Sequence, residues 1–146
     1  MKKVEVRDLA LEDIYTEGSG FYESLSALKP TASIGIDKAK VLFWERQYLG
    51  IRTIVVTMDD YIIGTGSVFI EPKFLNGGSK VAHIEDIAVQ KAYQKTGTGK
   101  MIMEELIAIA REANCYKIIL NCRESVVSFY EKLGFHKNEK EMRMDL

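Results

Sequence analysis

A two-glycine turn, "QKTGTGK" at residues 94–100, separates a β-branched run from a long helical pattern. The run "VAHIEDIAV" at residues 81–89 predicts a strand, and apolar residues at helical spacing up to Ala113 predict an amphipathic helix. A further apolar run, "CYKIILNC" at residues 115–122, predicts a second strand. This order predicts one β-α-β crossover, with the glycine turn at the point where its first strand meets its helix.

The whole chain predicts a single α/β domain over residues 1–146, in the order β-α-α-β-β-β-α-β-α-β. An alternating first strand precedes a helical segment that is interrupted near Gly18 and Gly20. Two strands joined by a hairpin at Asp59 and Asp60 come before the crossover. Antiparallel hairpins at the front and a crossover behind therefore predict a mixed sheet.

The second long helix is predicted over "KAKVLFWERQYL", with Asp37 as its N-cap and Gly50 as its end. The side of this helix that should face the core carries Val41, Trp44, Tyr48 and Leu49. At the other end of the chain, an alternating segment after a short helix predicts a final strand. That strand carries Met142, Met144 and Leu146.

Composition excludes several functions. Twenty basic and twenty-one acidic residues give a net charge of −1, so the chain lacks the excess positive charge of nucleic-acid binders. No signal-peptide pattern is present, and no apolar run approaches the ~20 residues of a membrane helix. We therefore expect a soluble, cytoplasmic protein that contacts neither nucleic acid nor membrane.

The cysteines do not predict a disulfide or a metal site. Cys115 and Cys122 would lie roughly 23 Å apart in an extended strand, which is too far for a disulfide. His83 and His136 are not near either cysteine at the spacing of a zinc site. We therefore expect buried structural thiols and no metal.

The glycine turn has the features of an anion site. Unpaired N–H groups and the helix dipole converge at a helix N-terminus, which favours a phosphate. Gly97 and Gly99 would let the backbone approach a ligand, and Lys95 and Lys100 add local positive charge. The alternative is a turn whose glycines only let the strand and helix pack.

The sequence of the turn does not match either of two common phosphate-binding loops. A P-loop ending at Lys100 requires glycine at position 94 and Ser or Thr at position 101, but Gln94 and Met101 stand there. A dinucleotide fingerprint starting at Gly97 requires Gly or Ala at position 102, which is Ile102. ATP hydrolysis and NAD chemistry are therefore disfavoured.

The loop instead resembles the acetyl-coenzyme A motif of the GNAT superfamily of N-acetyltransferases, Gln/Arg-x-x-Gly-x-Gly/Ala. The words "HIEDIAV", "CYKIILNC" and "FYEKLGF" resemble the glucosamine 6-phosphate N-acetyltransferase branch of that superfamily at the same relative spacing. The resemblance is strong over residues 70–135 and weaker before, where mainly "SALKPTASI" carries it. It implies a GNAT fold with an acetyl-CoA-binding crossover, splayed central parallel strands and an intertwined homodimer. It also implies acetyl transfer from acetyl-CoA to glucosamine 6-phosphate, on the way to UDP-N-acetylglucosamine.

The resemblance assigns a role to each matching residue. In this family the strand backbone pairs with the pantetheine arm and the loop amides hold the pyrophosphate. The implied acetyl-CoA contacts are Ile87, Ala88, Val89, Gln94, Lys95, Thr96, Gly97, Thr98, Gly99, Lys100, Ser128 and Tyr130. The candidate substrate residues are Lys29, Thr31, Lys73, Asn76, Glu85, Asp86, Asn121 and Arg143. The catalytic candidates are Tyr130, which would protonate the leaving thiolate, with Glu85 and Asn121 on the amine side.

Three departures from the family pattern concern the acceptor more than the coenzyme. Asn121 stands where an acidic residue is usual, and an amide cannot accept a proton. Val126 replaces a frequent asparagine, for which Ser125 or Ser128 could substitute, and Arg143 lies two residues before the usual arginine position. Another amine, such as a polyamine or a protein N-terminus, and a non-catalytic acyl-CoA-binding module are therefore the competing functions.

Three residues of the strand before the glycine turn also have structural interpretations. Glu85 and Asp86 are adjacent, so strand alternation predicts that they face opposite sides, and we favour Glu85 as the one in the pocket. His83 is expected to be a hydrogen-bonded structural histidine.

Overall fold

The computed structural model describes residues 1–146 as a five-stranded mixed sheet in the order β1-β2-β3-β4-β5. The strands are β1 (Val4–Asp8), β2 (Ile51–Met58), β3 (Tyr61–Pro72), β4 (Lys80–Val89) and β5 (Cys115–Ile119). Neighbouring strands pair antiparallel from β1 to β4, whereas β4 and β5 pair parallel. The predicted α/β class, front hairpins and single crossover are confirmed.

Six helical segments connect or flank the strands. They are α1 (Leu11–Tyr15), α2 (Phe21–Leu25), α3 (Ile36–Tyr48), the irregular turn α4 (Leu75–Gly78), α5 (Thr98–Glu112) and α6 (Val127–Glu131). The helices α5 and α6 pack on one face in the larger core cluster, and α1, α2 and α3 form a smaller cluster on the other. Ile102, Leu106 and Ile109 of α5 are buried, as its apolar spacing predicts. No helix in the structure is long and apolar enough to cross a membrane.

The hairpin between β2 and β3 turns at the two predicted aspartates. Asp59 and Asp60 have φ values of 49° and 67°, so both central residues are left-handed, as in a type I′ turn. The Asp59 carboxylate also accepts a hydrogen bond of 2.8 Å from the backbone N–H of Lys3. The turn therefore holds the start of the chain as well as the two strands.

The predicted helix interruption divides the segment into α1 and α2. Gly20, which precedes α2, has a φ of 92°, and a Cβ added there would lie 2.1 Å from the carbonyl oxygen of Ile62. The Ile62 N–H in turn donates a 2.8 Å hydrogen bond to the carbonyl of Ser19. Glycine is therefore required here both by backbone conformation and by the close approach of β3.

The prediction of which side of α3 faces the core was wrong. Its expected core residues are largely exposed: Val41 at 69%, Trp44 at 61%, Tyr48 at 91% and Leu49 at 53%. Ala39 is buried instead, and Phe43 packs against the same cluster. Because this helix is apolar on more than one side, its spacing alone did not select the side that meets the sheet. The exposed apolar side remains available for another surface.

The ends of this helix agree in part with the prediction. The helix begins at Ile36 with Gly35 as its N-cap, so Asp37 lies in the first turn, where its charge favours the helix dipole. Gly50, with a φ of 72°, follows the last turn as predicted.

The predicted final strand is absent, and the prediction was wrong. Residues 136–146 form no helix or strand, and Met142, Met144 and Leu146 are exposed by 84% or more. An alternating sequence becomes a strand only when a neighbouring backbone supplies hydrogen bonds, and no strand pairs with this segment. Cys122 is likewise exposed rather than buried as expected.

We expect Gly20→Ala to lower the free energy of unfolding by about 3 kcal/mol or more, since it adds a backbone clash to the left-handed strain. Gly18→Ala is the matched control. Gly18 also has a positive φ, 73°, but nothing lies within 4 Å of an added Cβ. Urea unfolding of the control should show a loss of about 1 kcal/mol. Equal losses for the two variants would contradict the close-approach argument.

Candidate active site

The central feature of the candidate site is the early end of pairing between the two parallel strands. Strand β4 extends to Val89, but its register with β5 covers only Lys80 to His83. From Ile84 onward, the edge of β4 that faces β5 has no strand partner. A free strand edge presents N–H and C=O groups that an extended, amide-bearing ligand can pair with. This geometry agrees with the predicted splay.

The turn beyond β4 presents unpaired backbone donors. From Lys95 to Lys100, the six successive backbone N–H groups donate to no acceptor within the protein. The first intrahelical bond of α5 comes from the N–H of Met101, which donates to the carbonyl of Gly97 at 3.0 Å. Such a cluster of unpaired amides at the N-terminus of a 15-residue helix favours a bound anion.

Backbone conformation explains why the amides cluster. Lys95 and Gly97 both have positive φ, 61° and 92°, and left-handed residues in a turn draw neighbouring N–H groups to one side. The side-chain amide of Gln94 donates a 3.0 Å hydrogen bond to the carbonyl of Val89, so the turn is tied to the end of β4. The free strand edge and the amide cluster therefore form one continuous surface.

The two glycines of the motif have different roles. An added Cβ at Gly97 would meet nothing within 4 Å, so this glycine is required by its φ. An added Cβ at Gly99 would lie 3.3 Å from Cζ of Phe129, so this glycine lets α5 pack closely on the segment around α6. The anion-site and packing interpretations of the turn therefore both apply, each to one glycine.

Lys95 and Lys100 contribute less directly to anion binding at the turn than the backbone amides do. Lys95 is exposed and makes no ion pair, and the Lys100 ammonium lies 3.6 Å from the Glu104 carboxylate. The hydroxyls of Thr96 and Thr98 lie 3.0 Å apart and stabilise the turn. Negative charge would therefore be held mainly by N–H groups, with Lys95 as the unpaired cation beside them.

Tyr130 lies in α6 and belongs to the larger core cluster. It is buried, with 9% of its surface exposed, and it packs edge-to-face against Phe129 and Phe135 at centroid distances of 5.0 and 6.0 Å. Burial raises the pKa of its phenol, and the neighbouring Cys122 raises it further. The phenol is therefore a protonated hydrogen-bond donor at neutral pH.

A β-bulge shapes the acidic pair on β4. Thr65 pairs with Ala88 whereas Ser67 pairs with Glu85, so one extra residue is inserted at Asp86, whose φ is 54°. Ser67 and Asp86 line the same cavity, and Glu85 lies opposite Ser67, so the two acids share one face of the sheet. The expectation that they face opposite sides was therefore wrong, because it assumed regular alternation.

The chemistry of Glu85 is altered by this environment. Although Glu85 is exposed, partial desolvation raises the pKa of its carboxyl, and the neighbouring Asp86 raises it further, while His83 acts in the opposite direction. His83 itself is held by the Glu71 carboxylate at 2.8 Å, in agreement with a structural role. Glu85 is therefore a stronger base than an ordinary glutamate.

The remaining predicted substrate residues are only partly brought together. Thr31 lines the same cavity as Asp86, and its hydroxyl donates to the carbonyl of Lys29 at 2.6 Å. The Lys73 ammonium is paired with Glu71 at 2.9 Å. Of the others, Lys29 and Asn121 are exposed, Asn76 adopts a left-handed turn in α4, and Arg143 pairs with Asp145 in the C-terminal segment. Ser128, predicted to contact acetyl-CoA, is also exposed. The residues described include no group of three His, Cys, Asp or Glu side chains that could hold a metal ion.

Two polar residues near the site were missed by the sequence reasoning. The side-chain amide of Gln90, directly after β4, donates to the Ile62 carbonyl at 2.7 Å and to the Gly20 carbonyl at 3.3 Å, which ties the coenzyme-side turn to α2. Arg46 faces inward from α3 and donates to the hydroxyls of Thr53 and Ser67, both at 3.0 Å. Only the position of Arg46, seven residues after Ala39, gave a signal in the sequence.

Known proteins resemble this chain along most of its length. Residues 12–135 match the sequence profile of the acetyltransferase (GNAT) family. Glucosamine 6-phosphate N-acetyltransferase of Trypanosoma brucei brucei is 47% identical over 85 residues, a segment that spans 58% of this chain and 58% of that relative. Glucosamine 6-phosphate N-acetyltransferase 1 of Oryza sativa subsp. japonica is 33% identical over 145 residues, with 97% of this chain and 85% of the relative covered.

Solved structures share the architecture as well. A Trypanosoma brucei acetyltransferase superposes with a TM-score of 0.91 at 36% identity, covering 99% of this chain and 100% of its own. Glucosamine-6-phosphate N-acetyltransferase from Arabidopsis thaliana superposes with a TM-score of 0.90 at 31% identity, covering 98% of each chain. The crossover, the amide turn and these matches together lead to one assignment: this chain belongs to the acetyltransferase (GNAT) family.

Proposed function

We propose that this protein transfers the acetyl group of acetyl-CoA to the amine of glucosamine 6-phosphate. The observation that carries the proposal is the continuity between the free edge of β4 and the unpaired amides of Lys95–Lys100. The GNAT family uses acetyl-CoA as its acetyl donor. The acceptor is supported by the relatives described above, which carry the name of that enzyme.

Two successive parts of acetyl-CoA fit the strand edge and the amide turn. The backbone of Ile87, Ala88 and Val89 can pair with the amide-bearing pantetheine arm as an added strand would. The N–H groups of the turn from Gln94 to Lys100 can then hold the pyrophosphate, with Gln94 fixing the turn to β4. Ser128, exposed on α6, is available to the pantetheine side of the same track.

The chain's own residues supply the proton transfers of the reaction. The acceptor amine must be neutral to attack the thioester carbonyl, and Glu85, or a water bound to it, takes up its proton as the new C–N bond forms. The departing thiolate needs a proton, and the Tyr130 phenol, which is protonated at neutral pH as an ordinary tyrosine is, donates it. Since most of the acceleration comes from positioning the two substrates, loss of the phenol should slow the reaction without abolishing it.

The acceptor side of the proposal uses the acidic pair and the neighbouring polar residues. Asp86 and Thr31 line one cavity beside the gap, and Asn121 follows the end of β5. Asn121 can orient a sugar hydroxyl or the amine but cannot accept a proton, which leaves the base role to Glu85. Lys29, Lys73, Asn76 and Arg143 are the candidates for the rim and the sugar phosphate.

We further propose a cytoplasmic homodimer that serves UDP-N-acetylglucosamine synthesis. The exposed apolar side of α3 and the exposed, unpaired C-terminal segment that carries Arg143 are surfaces that a second copy can cover. A partner's segment docked near β5 would bring an arginine and apolar side chains towards the acceptor region. Light scattering of the purified protein measures the stoichiometry, and a monomer at assay concentrations would contradict this arrangement.

The first test of the function is coenzyme A release, followed with a thiol reagent. We expect rapid release with acetyl-CoA and glucosamine 6-phosphate, and a kcat/KM lower by about 100-fold or more with unphosphorylated glucosamine, because a charge-assisted contact is lost. Spermidine and a peptide with a free N-terminus serve as alternative acceptors. Equal rates with and without the phosphate, or turnover only with another amine, would overturn the proposed acceptor while leaving the coenzyme site in place.

The amide turn is tested by Gly97→Ala. Alanine at a φ of 92° disturbs the turn without meeting another group, so we expect coenzyme A affinity to fall by at least about tenfold. The free energy of unfolding should fall by only about 1 kcal/mol. Gly50→Ala, at a φ of 72° and equally open, introduces similar strain far from the turn and should bind coenzyme A normally. Calorimetric titration measures the affinity for coenzyme A. An unchanged affinity of the Gly97 variant would refute the role of the turn in binding the coenzyme.

The raised pKa of Glu85 predicts a shifted pH dependence. As pH falls through that raised value, Glu85 becomes protonated and loses its function as a base, so activity should decline at a higher pH than for an ordinary glutamate. Glu85→Gln should lower kcat and remove this acid-side decline, leaving only that of the amine. Glu105→Gln, exposed on α5, is the control and should retain the wild-type pH–rate profile. A Glu85→Gln profile identical to wild type would exclude Glu85 as the base.

A further inference from the structure

The segment that joins β4 to the amide turn is held at its first residue, Gln90. The backbone N–H of Gln90 donates to the carbonyl of Ile63 at 2.9 Å, and the Gln90 carbonyl accepts from the N–H of Tyr93 at 2.8 Å. Residues Lys91–Tyr93 form one short 3₁₀ turn after it. The backbone of Gln90 therefore ends the contact of β4 with β3 and begins the segment that leads to Lys95–Lys100.

The side chain of Gln90 reaches from this point into two other elements. Its amide nitrogen, Nε2, donates to the carbonyl of Ile62 on β3 at 2.7 Å and to the carbonyl of Gly20, directly before α2, at 3.3 Å. Two hydroxyls lie beside the same nitrogen, that of Tyr61 at 3.2 Å and that of Ser24 at 3.4 Å. One side chain thus connects the end of β4 with β3 and with α2.

The partners of this amide require a hydrogen-bond donor. The carbonyl oxygens of Gly20 and Ile62 can only accept, and the NH₂ group of a glutamine supplies two N–H donors. The opposite orientation of the amide would turn its oxygen towards both carbonyls, so the acceptors determine which atom faces them. The Tyr61 hydroxyl lies 3.4 Å from that oxygen, Oε1. Position 90 therefore needs a long side chain that ends in a donor.

Gln90 is also the point at which hydrogen bonds attach the following segment to the rest of the fold. The side chain of Gln94 donates to the carbonyl of Val89, which closes the segment onto its own beginning. The other hydrogen bonds of residues 91–96 likewise stay within residues 89–98. Hydrogen bonds therefore fix the direction in which the segment leaves the sheet at Gln90.

We propose that Gln90 is a positioning residue for coenzyme binding, because its side-chain amide holds the segment that aims the N–H groups of Lys95–Lys100 at the coenzyme pyrophosphate. The inference rests on the coenzyme site proposed above. A set of donors binds well only when it is held within about 0.5 Å of the productive geometry. Gln90 acts through the backbone, since its amide is occupied by carbonyls on the α2 side of the sheet.

The test is calorimetric titration of coenzyme A into Gln90→Glu, which keeps the shape of the side chain and replaces its amide with a carboxyl. At about pH 8 the carboxylate cannot donate to the two carbonyls, so we expect affinity at least about tenfold below that of the wild type. The same carbonyls favour the protonated carboxyl and so raise its pKa. At about pH 5 the protonated carboxyl donates again, and the affinity relative to wild type should recover to within about threefold. A general loss of stability would not be reversed by acid.

Ser24→Ala is the matched control. The Ser24 hydroxyl donates to the Gly20 carbonyl at 2.8 Å and to the Ile62 carbonyl at 3.4 Å, so this variant removes a donor from the same two carbonyls without releasing the end of β4. We expect it to bind coenzyme A as the wild type does. If Gln90→Glu does not fold, Gln90→Met removes the donor without adding a charge, and its affinity should be at least about tenfold lower at both pH values.

Several results would overturn the proposal. They are wild-type affinity of the Gln90 variant at the higher pH, equal weakening in the Ser24 variant, and weakening of Gln90→Glu that persists at the lower pH. If Gly97→Ala weakens coenzyme A binding and the Gln90 variants do not, this inference fails and the coenzyme site stands. If the wild-type protein does not bind coenzyme A, the coenzyme site and this inference fail together.

Discussion

The structure depends on a mismatch in length between two parallel strands. Strand β4 has ten residues and β5 has five, so their pairing stops at His83 while β4 continues to Val89. Backbone groups in a sheet must be paired or remain available to solvent and ligands. The unpaired half of β4 is supported from its other edge by β3, which keeps it extended. Strand β4 therefore stays extended at the centre of the fold, while the backbone groups on one edge of its second half have no strand partner.

The bulge at Asp86 adapts this strand to its two neighbours. Gly66 of β3 faces the bulge, and a Cβ there would lie 2.6 Å from the side chain of Ile87 and 2.7 Å from Ile102. The extra residue on β4 therefore requires a glycine opposite it and lets α5 approach the sheet closely. The same irregularity turns both acids of "IED" to one face. Close helix packing on one side of the sheet and a polar pair on the other are consequences of a single inserted residue.

Sequence patterns predicted the parts of this architecture that local interactions determine. The periodicity of α5, the two-aspartate hairpin and the glycine turn all depend on contacts within a few residues or on backbone conformation. The patterns failed where a second surface decides: α3 has apolar residues on more than one side, and only the sheet selects Ala39 and Phe43. The alternating residues near Met144 likewise have no strand partner in this chain. The bulge at Asp86 could not be predicted either, because it lies inside β4 and is defined only by the register with β3.

The candidate coenzyme features and the other polar residues of the site lie on opposite faces of the sheet. This division explains which residues a sequence motif can identify. On the face of α5 and α6, the coenzyme features are backbone groups and glycines, whose spacing along the chain is fixed by the turn itself. On the opposite face, the polar residues come from α3, β2, β3 and β4, and their proximity arises only through tertiary packing. Arg46, Thr53 and Ser67 form hydrogen bonds across 21 residues of sequence without any local signature. A short motif can therefore identify the family, whereas Arg46, Thr53 and Ser67 carry no motif, because only the folded structure brings them together.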